Sequence, residues 1–202
     1  MGIKINEFFN SFQGEGVYCG VPATFIRTSG CNLKCPWCDT RHETFREYSY
    51  LQLTTALPKL HGLIVITGGE PTIQDEEFDD FLVLLANQKP GTIVAVETNG
   101  TRPDVLRRWR EKQAVNHITV SPKGSSLTRE IEESLQLADE VKVVLAPEAR
   151  PEIYIPFIGN LIAKRAAFIQ PCSENYPPAV KYIEQHPHWR LGVQLHKVMG
   201  AR

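Results

Sequence analysis

Six short apolar, β-prone runs recur along the chain, at residues 23–27, 63–67, 93–97, 117–120, 141–145 and 167–170, and between several of them the apolar spacing lengthens to that of helices. This alternation constrains the fold strongly, because parallel strands need long crossover connections and amphipathic helices supply them. Residues 76–88 place Phe78, Phe81, Leu82 and Leu85 on one stripe, and residues 128–138 do so with Ile131, Leu135 and Leu137 or Ala138. Thr128 and Pro103 have the character of helix starts. Pro151, Pro156 and Gly159 interrupt the segment after the fifth run, and residues 191–194 are a candidate last strand. A complete eight-stranded barrel typically takes about 250 residues, more than the 202 present. The expected fold is therefore α/β: a partial, open (β/α) barrel of about six parallel strands, in one domain spanning residues 1–202.

In parallel βα folds ligands bind at the carboxyl ends of the strands. Those ends carry Arg27, Thr67-Gly-Gly69-Glu70-Pro71, Glu97-Thr-Asn-Gly100, Ser121-Pro122-Lys123 and Gln170-Pro-Cys172, which predicts one shared mouth. The formal net charge is −1 and the Lys and Arg residues are scattered, so nothing marks a nucleic-acid partner. No stretch approaches the roughly 18 apolar residues of a membrane span, and the amino terminus lacks the apolar run of a secretion signal. A cytoplasmic protein is expected, and in that reducing compartment clustered cysteines are metal ligands rather than disulfide partners.

Three of the five cysteines are so clustered, in Cys31-Asn-Leu-Lys-Cys35-Pro-Trp37-Cys38. Thiolates suit iron–sulfur clusters, and a four-iron cube normally takes four. With three, one iron is left open for a ligand. Structural zinc is the alternative, but it prefers two spaced pairs of ligands. Only His42, Cys19 or Cys172 would complete a zinc site here. The paired glycines of Thr67-Gly-Gly69-Glu70-Pro71 let a ligand approach the backbone after a buried strand, although read alone they are more readily a structural turn.

The triplet, followed by Asp39-Thr40, resembles the signature of radical S-adenosylmethionine (SAM) enzymes, and the Gly-Gly-Glu-Pro segment resembles their motif for the methionyl amino group of SAM. The flanks are similar to one such family, the 7-carboxy-7-deazaguanine synthases. The matching pieces are Asn10-Ser-Phe12-Gln13-Gly14-Glu15-Gly16, Phe25-Ile-Arg27-Thr-Ser-Gly-Cys31, Cys38-Asp39-Thr40, Glu97-Thr-Asn-Gly100, Ser121-Pro122-Lys123 and Gln194-Leu-His196-Lys197, and they span nearly the whole chain.

That resemblance implies conversion of 6-carboxytetrahydropterin to 7-carboxy-7-deazaguanine with loss of ammonia, on the route to queuosine. It implies a [4Fe-4S] cluster on Cys31, Cys35 and Cys38. SAM would lie against Trp37, Cys38, Asp39, Gly69, Ser121, Pro122, Lys123 and Gln170, and Mg2+ on the Thr40 hydroxyl. Phe12, Gln13, Gly14, Glu15, Arg27, Thr67, His196 and Arg202 would meet the substrate. Residue chemistry agrees in part: a glutamine, a glutamate and open glycine backbone suit an aminopyrimidinone edge, and a guanidinium suits a carboxylate. The family also implies a homodimer and an electron donor such as flavodoxin or ferredoxin. Some members carry an insertion between the first two cysteines, which this compact loop lacks, so the donor stays open. An activase that installs a glycyl radical, or a non-catalytic zinc-binding protein, are the competing readings.

Overall fold

The structure, a computed structural model, describes residues 2–201. Among these, nine strands form one sheet: β1 (Ile3–Phe12), β2 (Pro22–Thr28), β3 (Arg46–Tyr48), β4 (Leu63–Gly68), β5 (Ile93–Thr98), β6 (His117–Val120), β7 (Glu140–Leu145), β8 (Ala167–Pro171) and β9 (Arg190–Leu191). Their order is β3-β1-β2-β4-β5-β6-β7-β8-β9, so the sheet is open, with β3 and β9 at its edges. From β2 through β9 every pairing is parallel.

Seven helices accompany the strands: α1 (Tyr50–Ala56), α2 (Glu76–Ala86), α3 (Pro103–Glu111), α4 (Arg129–Leu137), α5 (Gly159–Ala163), α6 (Tyr176–Gln185) and α7 (Leu195–Val198). Their starts follow local chemistry. Ser49 and Gln52 form a reciprocal capping box before α1. Pro103 opens α3, and the Thr128 hydroxyl accepts from the Ile131 N–H at 3.4 Å to cap α4. Acidic Glu76, Glu77 and Asp79 occupy the first turn of α2, where the helix dipole favours them.

Strand alternation sorts the residues onto two faces. Ile26, Ile64, Ile66, Val94, Val96, Ile118, Val120 and Ile169 turn outward into the main core, where they meet Phe78, Phe81, Leu82 and Leu85 of α2 and Trp109 of α3. The inner face begins with a small apolar cluster of Ala23, Phe25, Leu63, Val65 and Ala95. Toward the carboxyl ends it becomes polar, with Arg27, Thr67, Glu97, Ser121, Lys142 and Gln170 lining a cavity.

The expected parallel strands and open barrel are present, and the differences lie at the ends of the chain. Residues 3–12 form β1, antiparallel to β2, and β3 pairs antiparallel to β1. The last strand is only Arg190–Leu191, because Gly192 and the residues after it turn toward α7. Pro151–Phe157 winds as a 3-10 helix before α5, consistent with prolines that deny the segment α-helical hydrogen bonds. No helix of the described residues is long and apolar enough to cross a membrane.

Candidate active site

The cavity at the strand carboxyl ends has a volume of about 840 Å³, and it gathers most of the residues singled out from the sequence. Phe12, Gln13, Glu15, Arg27 and Thr67 line it, as do Cys31, Cys35, Trp37, Cys38, Asp39 and Thr40; Gly69, Ser121, Lys123, Gln170 and His196 complete the set. Two expected contacts do not reach it. Pro122 is buried beside it rather than on its wall, and Gly14 lies behind the His196 ring, where a Cβ would fall 2.0 Å from Nδ1. Arg202 lies outside the described residues.

The cysteine loop is irregular and is held by its ends. At its entry Ser29 N–H donates to the Lys4 carbonyl at 2.9 Å and Gly30 N–H to the His42 carbonyl at 3.1 Å, while Gln74 Nε2 donates to the Ser29 carbonyl at 3.0 Å. Within it Cys38 N–H donates to the Cys35 carbonyl at 3.1 Å, and Leu33 N–H points at Cys31 Sγ at 3.4 Å. Burial pushes the Cys31 and Cys35 thiols up, and the Lys123 ammonium opposes that shift in both. Among the described residues no three His, Cys, Asp or Glu side chains converge on a point that would hold a single ion. Three thiols on one wall of a roomy cavity, near enough for their charges to act on one another, suit an iron–sulfur cluster, whose ligands are thiolates.

The Gly68-Gly69-Glu70 turn is pressed against that loop. Gly68 has φ +125°, and a Cβ on Gly69 would fall 1.8 Å from the Gly30 carbonyl oxygen. Both following N–H groups are spent, Gly69 on the Thr28 carbonyl at 3.1 Å and Glu70 on the Gly30 carbonyl at 2.8 Å. These two donors are thus closed to a carboxylate, and the turn has only carbonyl oxygens for a ligand, which suits an ammonium. Glu70 itself is fully buried. Its carboxylate accepts from Thr72 N–H and Oγ1 at 3.1 and 2.6 Å, Thr98 Oγ1 at 2.7 Å and Asn99 N–H at 2.6 Å. Burial pushes this carboxyl up while the four donors pull it down, and its work is to brace the turn.

Across the cavity a second network joins the two ends of the chain. Glu97 accepts from Gln13 Nε2 at 3.0 Å and Thr67 Oγ1 at 2.8 Å. Glu15 is paired with the Lys142 ammonium and accepts from Gln194 Nε2 at 2.7 Å. Burial works against the Glu97 charge, but Lys142 and these hydroxyl and amide donors hold its carboxyl below the usual range. Burial works against the Lys142 ammonium as well, yet Glu15 and Glu97 hold it above the ordinary lysine range. Arg27 is ion-paired with Glu7 at 2.9 Å and stacks over Phe9, 5.7 Å from the ring centroid. A substrate carboxylate would therefore share this guanidinium with Glu7.

On the remaining wall Lys123 donates to Ser121 Oγ at 2.7 Å, and burial depresses its ammonium. Gln170 Oε1 is buried with no hydrogen-bond partner. That oxygen packs against Gly192, where a Cβ would fall 2.4 Å from it, while the residue itself lines the cavity. Thr40 Oγ1 has only a long 3.4 Å contact to Asp39 Oδ1, so a cation there would draw most of its ligands from water and substrate. Partial enclosure raises the Asp39 carboxyl, and Lys197, 3.4 Å away, more than offsets this. Sequence reasoning passed over Lys142, and it named Glu97 and Lys197 only as members of motifs, without roles of their own. The available signal was a lysine at an inward position of an apolar parallel strand, where a charge demands a buried partner.

A model of the radical SAM superfamily matches residues 25–144. The 7-carboxy-7-deazaguanine synthase of Bacteroides thetaiotaomicron is 37% identical over 201 residues, covering 98% of this chain and 98% of that protein. The one from Haemophilus influenzae is 30% identical over 209 residues, covering 98% of this chain and 93% of its own. The crystal structure of QueE from Escherichia coli superposes with a TM-score of 0.65 at 27% identity, covering 97% of this chain and 95% of that one. Matches that run the length of the chain set aside both the glycyl-radical activase and the zinc-binding protein.

Proposed function

Because the chain belongs to the 7-carboxy-7-deazaguanine synthase family of radical SAM enzymes, we propose that it converts 6-carboxytetrahydropterin to 7-carboxy-7-deazaguanine and ammonia on the way to queuosine. The observation that carries this is one cavity walled on one side by Cys31, Cys35 and Cys38 and on the other by the Gln13, Glu97 and Glu15 network. When bound, a [4Fe-4S] cluster and SAM supply one-electron chemistry that activates a C–H bond. The three cysteines hold the cluster. Trp37, Asp39, Gly69, Ser121, Lys123 and Gln170 hold SAM, with Pro122 shaping the turn behind them. The Gly69 turn, its N–H donors consumed, receives the amino group of SAM. On the substrate side Gln13 and Glu15 accept and donate to the aminopyrimidinone edge, Phe12 covers the ring, Thr67 and His196 border it, and Gly14 lets His196 come close. Arg27 takes the substrate carboxylate with Glu7 as its counter-partner, and Thr40 with Mg2+ binds the same carboxylate. These residues bind, orient and exclude water.

The wider reading is a cytoplasmic homodimer reduced by flavodoxin or ferredoxin. Exposed Phe45 and Leu51, which flank edge strand β3, supply apolar surface for pairing. The test is anaerobic reconstitution, then incubation with 6-carboxytetrahydropterin, SAM, Mg2+ and a reductant. Equimolar deazaguanine product and ammonia are expected. Formation of 5′-deoxyadenosine with no deazaguanine overturns the assignment.

A further inference from the structure

Gln13, Glu15 and Thr67 all lean, directly or through Glu97, on a residue that no motif contains. Lys142 stands mid-way along β7, where alternation turns Glu140, Lys142 and Val144 to the inner face. Its side chain is only 12% exposed, and its ammonium is paired with a Glu15 side chain that is 13% exposed. Gln13 gives its Nε2 to Glu97 at 3.0 Å and takes the Glu15 N–H on its Oε1 at 3.3 Å. With Glu97 accepting only, a single orientation of the Gln13 amide satisfies both contacts.

We propose, on the functional reading above, that Lys142 is a positioning residue of the pterin pocket: its ammonium anchors Glu15 and supplies the counter-charge for Glu97, and through these carboxylates it fixes Gln13, Thr67 and Gln194 toward the substrate. Without that cation two carboxylates share a desolvated wall, and one of them takes up a proton. A protonated Glu97 is a donor as well as an acceptor, so the Gln13 amide is free to turn over and present the wrong edge to an aminopyrimidinone. The other charges facing Lys142 do not replace it. Glu140 adds negative charge from the same strand, Lys123 is bonded to Ser121 at 2.7 Å, and Arg27, whose charge also reaches Glu97, is held by Glu7 at 2.9 Å.

The test uses 6-carboxypterin, a fluorescent oxidised analogue, titrated into reconstituted protein with SAM and Mg2+ from about pH 5.5 to about pH 7.5. Relative to wild type, Lys142→Met is expected to bind about tenfold more weakly at the acid end, with the ratio shrinking as pH rises through the newly raised carboxyl pKa. Lys142→Arg should restore a ratio that does not vary with pH. A Lys142→Met ratio constant across the range, or equal to one, overturns the proposal, since a packing role would weaken binding evenly. Should Lys142→Met fail to fold, the 13C shift of the Glu97 carboxyl in the wild type decides. It should stay ionised at about pH 6, and protonation above that value overturns the proposal. A wild type that binds no 6-carboxypterin overturns the functional reading itself, and the proposal with it.

Discussion

Gly69→Ala is the substitution whose cost is most directly set by distance. A Cβ there would lie 1.8 Å from the Gly30 carbonyl oxygen, 2.5 Å from its carbon and 3.3 Å from the Cys31 nitrogen. Real Cβ contacts essentially never fall below 3.0 Å, so the turn and the loop entry must part by about 1.2 Å. The obstacle is backbone, and Gly30 is already at φ +84°, so no side-chain rotation relieves it. The displacement stretches the 2.8 Å bond from Glu70 N–H to Gly30 and passes straight into Cys31, the first thiol. Overpacking of this kind costs about 1–3 kcal/mol, which for a chain of this length lowers Tm by about 2–4 °C per kcal/mol. Misplacement of a reacting group by about 1 Å costs about 100-fold in rate. The expected result is thus a folded variant, a few degrees less stable, with SAM cleavage and product formation down about 100-fold. Tm, iron and sulfide per chain, and 5′-deoxyadenosine yield measure it. Gly159→Ala is the control, because nothing lies within 4 Å of a Cβ there, and it should leave all three readings unchanged. Wild-type turnover in Gly69→Ala would show that the loop entry has slack and that the close approach does not position the thiols.

Alanine at Cys31, Cys35 or Cys38 should each abolish the cluster's absorbance after reconstitution, whereas alanine at Cys19 or Cys172 should keep it; iron counts distinguish the two groups. Asp79 is 1% exposed and binds Arg108 Nε at 2.6 Å, Trp109 Nε1 at 2.6 Å and Lys112 Nζ at 3.4 Å. Asp79→Ala should therefore cost about 1–3 kcal/mol in urea unfolding at neutral pH, chiefly because the buried Trp109 N–H loses its acceptor. Burial alone would raise the Asp79 carboxyl, but Arg108, Trp109 and Lys112 lower it on balance. Its contribution is present above the unfolded value near 3.9 and is lost as pH falls through the lower folded value, so the gap between wild type and variant should close in acid. Gly14→Ala drives a Cβ toward His196 and should raise the pterin KM with little change in Tm, because the imidazole moves at the mouth rather than in the core; a Tm loss without a KM change would contradict this.

The parallel core was legible because its strands are mostly apolar on the helix-facing side from β2 to β8, and because Phe78, Phe81, Leu82 and Leu85 repeat at helical spacing. The cysteine wall was legible from three close thiols. The hairpin β1 was not: its residues 6–12 mix Asn, Glu and Ser with Phe, since one face meets the cavity and the other is half exposed. The roles of Lys142, which no motif marks, and of Glu97, which the strand-end motif contains, were hidden for a related reason. Each is a single charge in an apolar strand, and its meaning depends on a partner more than 40 residues away in sequence, Glu15 for one and Gln13 for the other. Arg27 suits a carboxylate clamp by residue type, and the sequence does not show which acid, Glu7, pairs with it across the β1–β2 ladder.

An open sheet leaves one side of the mouth without strands, and radical chemistry needs that side dry. The two ends of the chain close it together. Leu195 N–H donates to the Gly14 carbonyl at 2.9 Å, Gln194 reaches Glu15, and the His196 ring occupies the space that Gly14 leaves open. Lys197 then lies 3.4 Å from both Asp39 on the cysteine loop and Glu174 beyond β8. Ser173 and Glu174 are both left-handed, at φ 49° and 61°, an arrangement that costs non-glycine residues energy and tends to be kept where a site requires it. That bend carries Glu174 to within reach of Lys197. The pocket wall is thereby made from segments about 180 residues apart in sequence. A substrate that touched Gln13, Glu15 and His196 together would bridge the two segments.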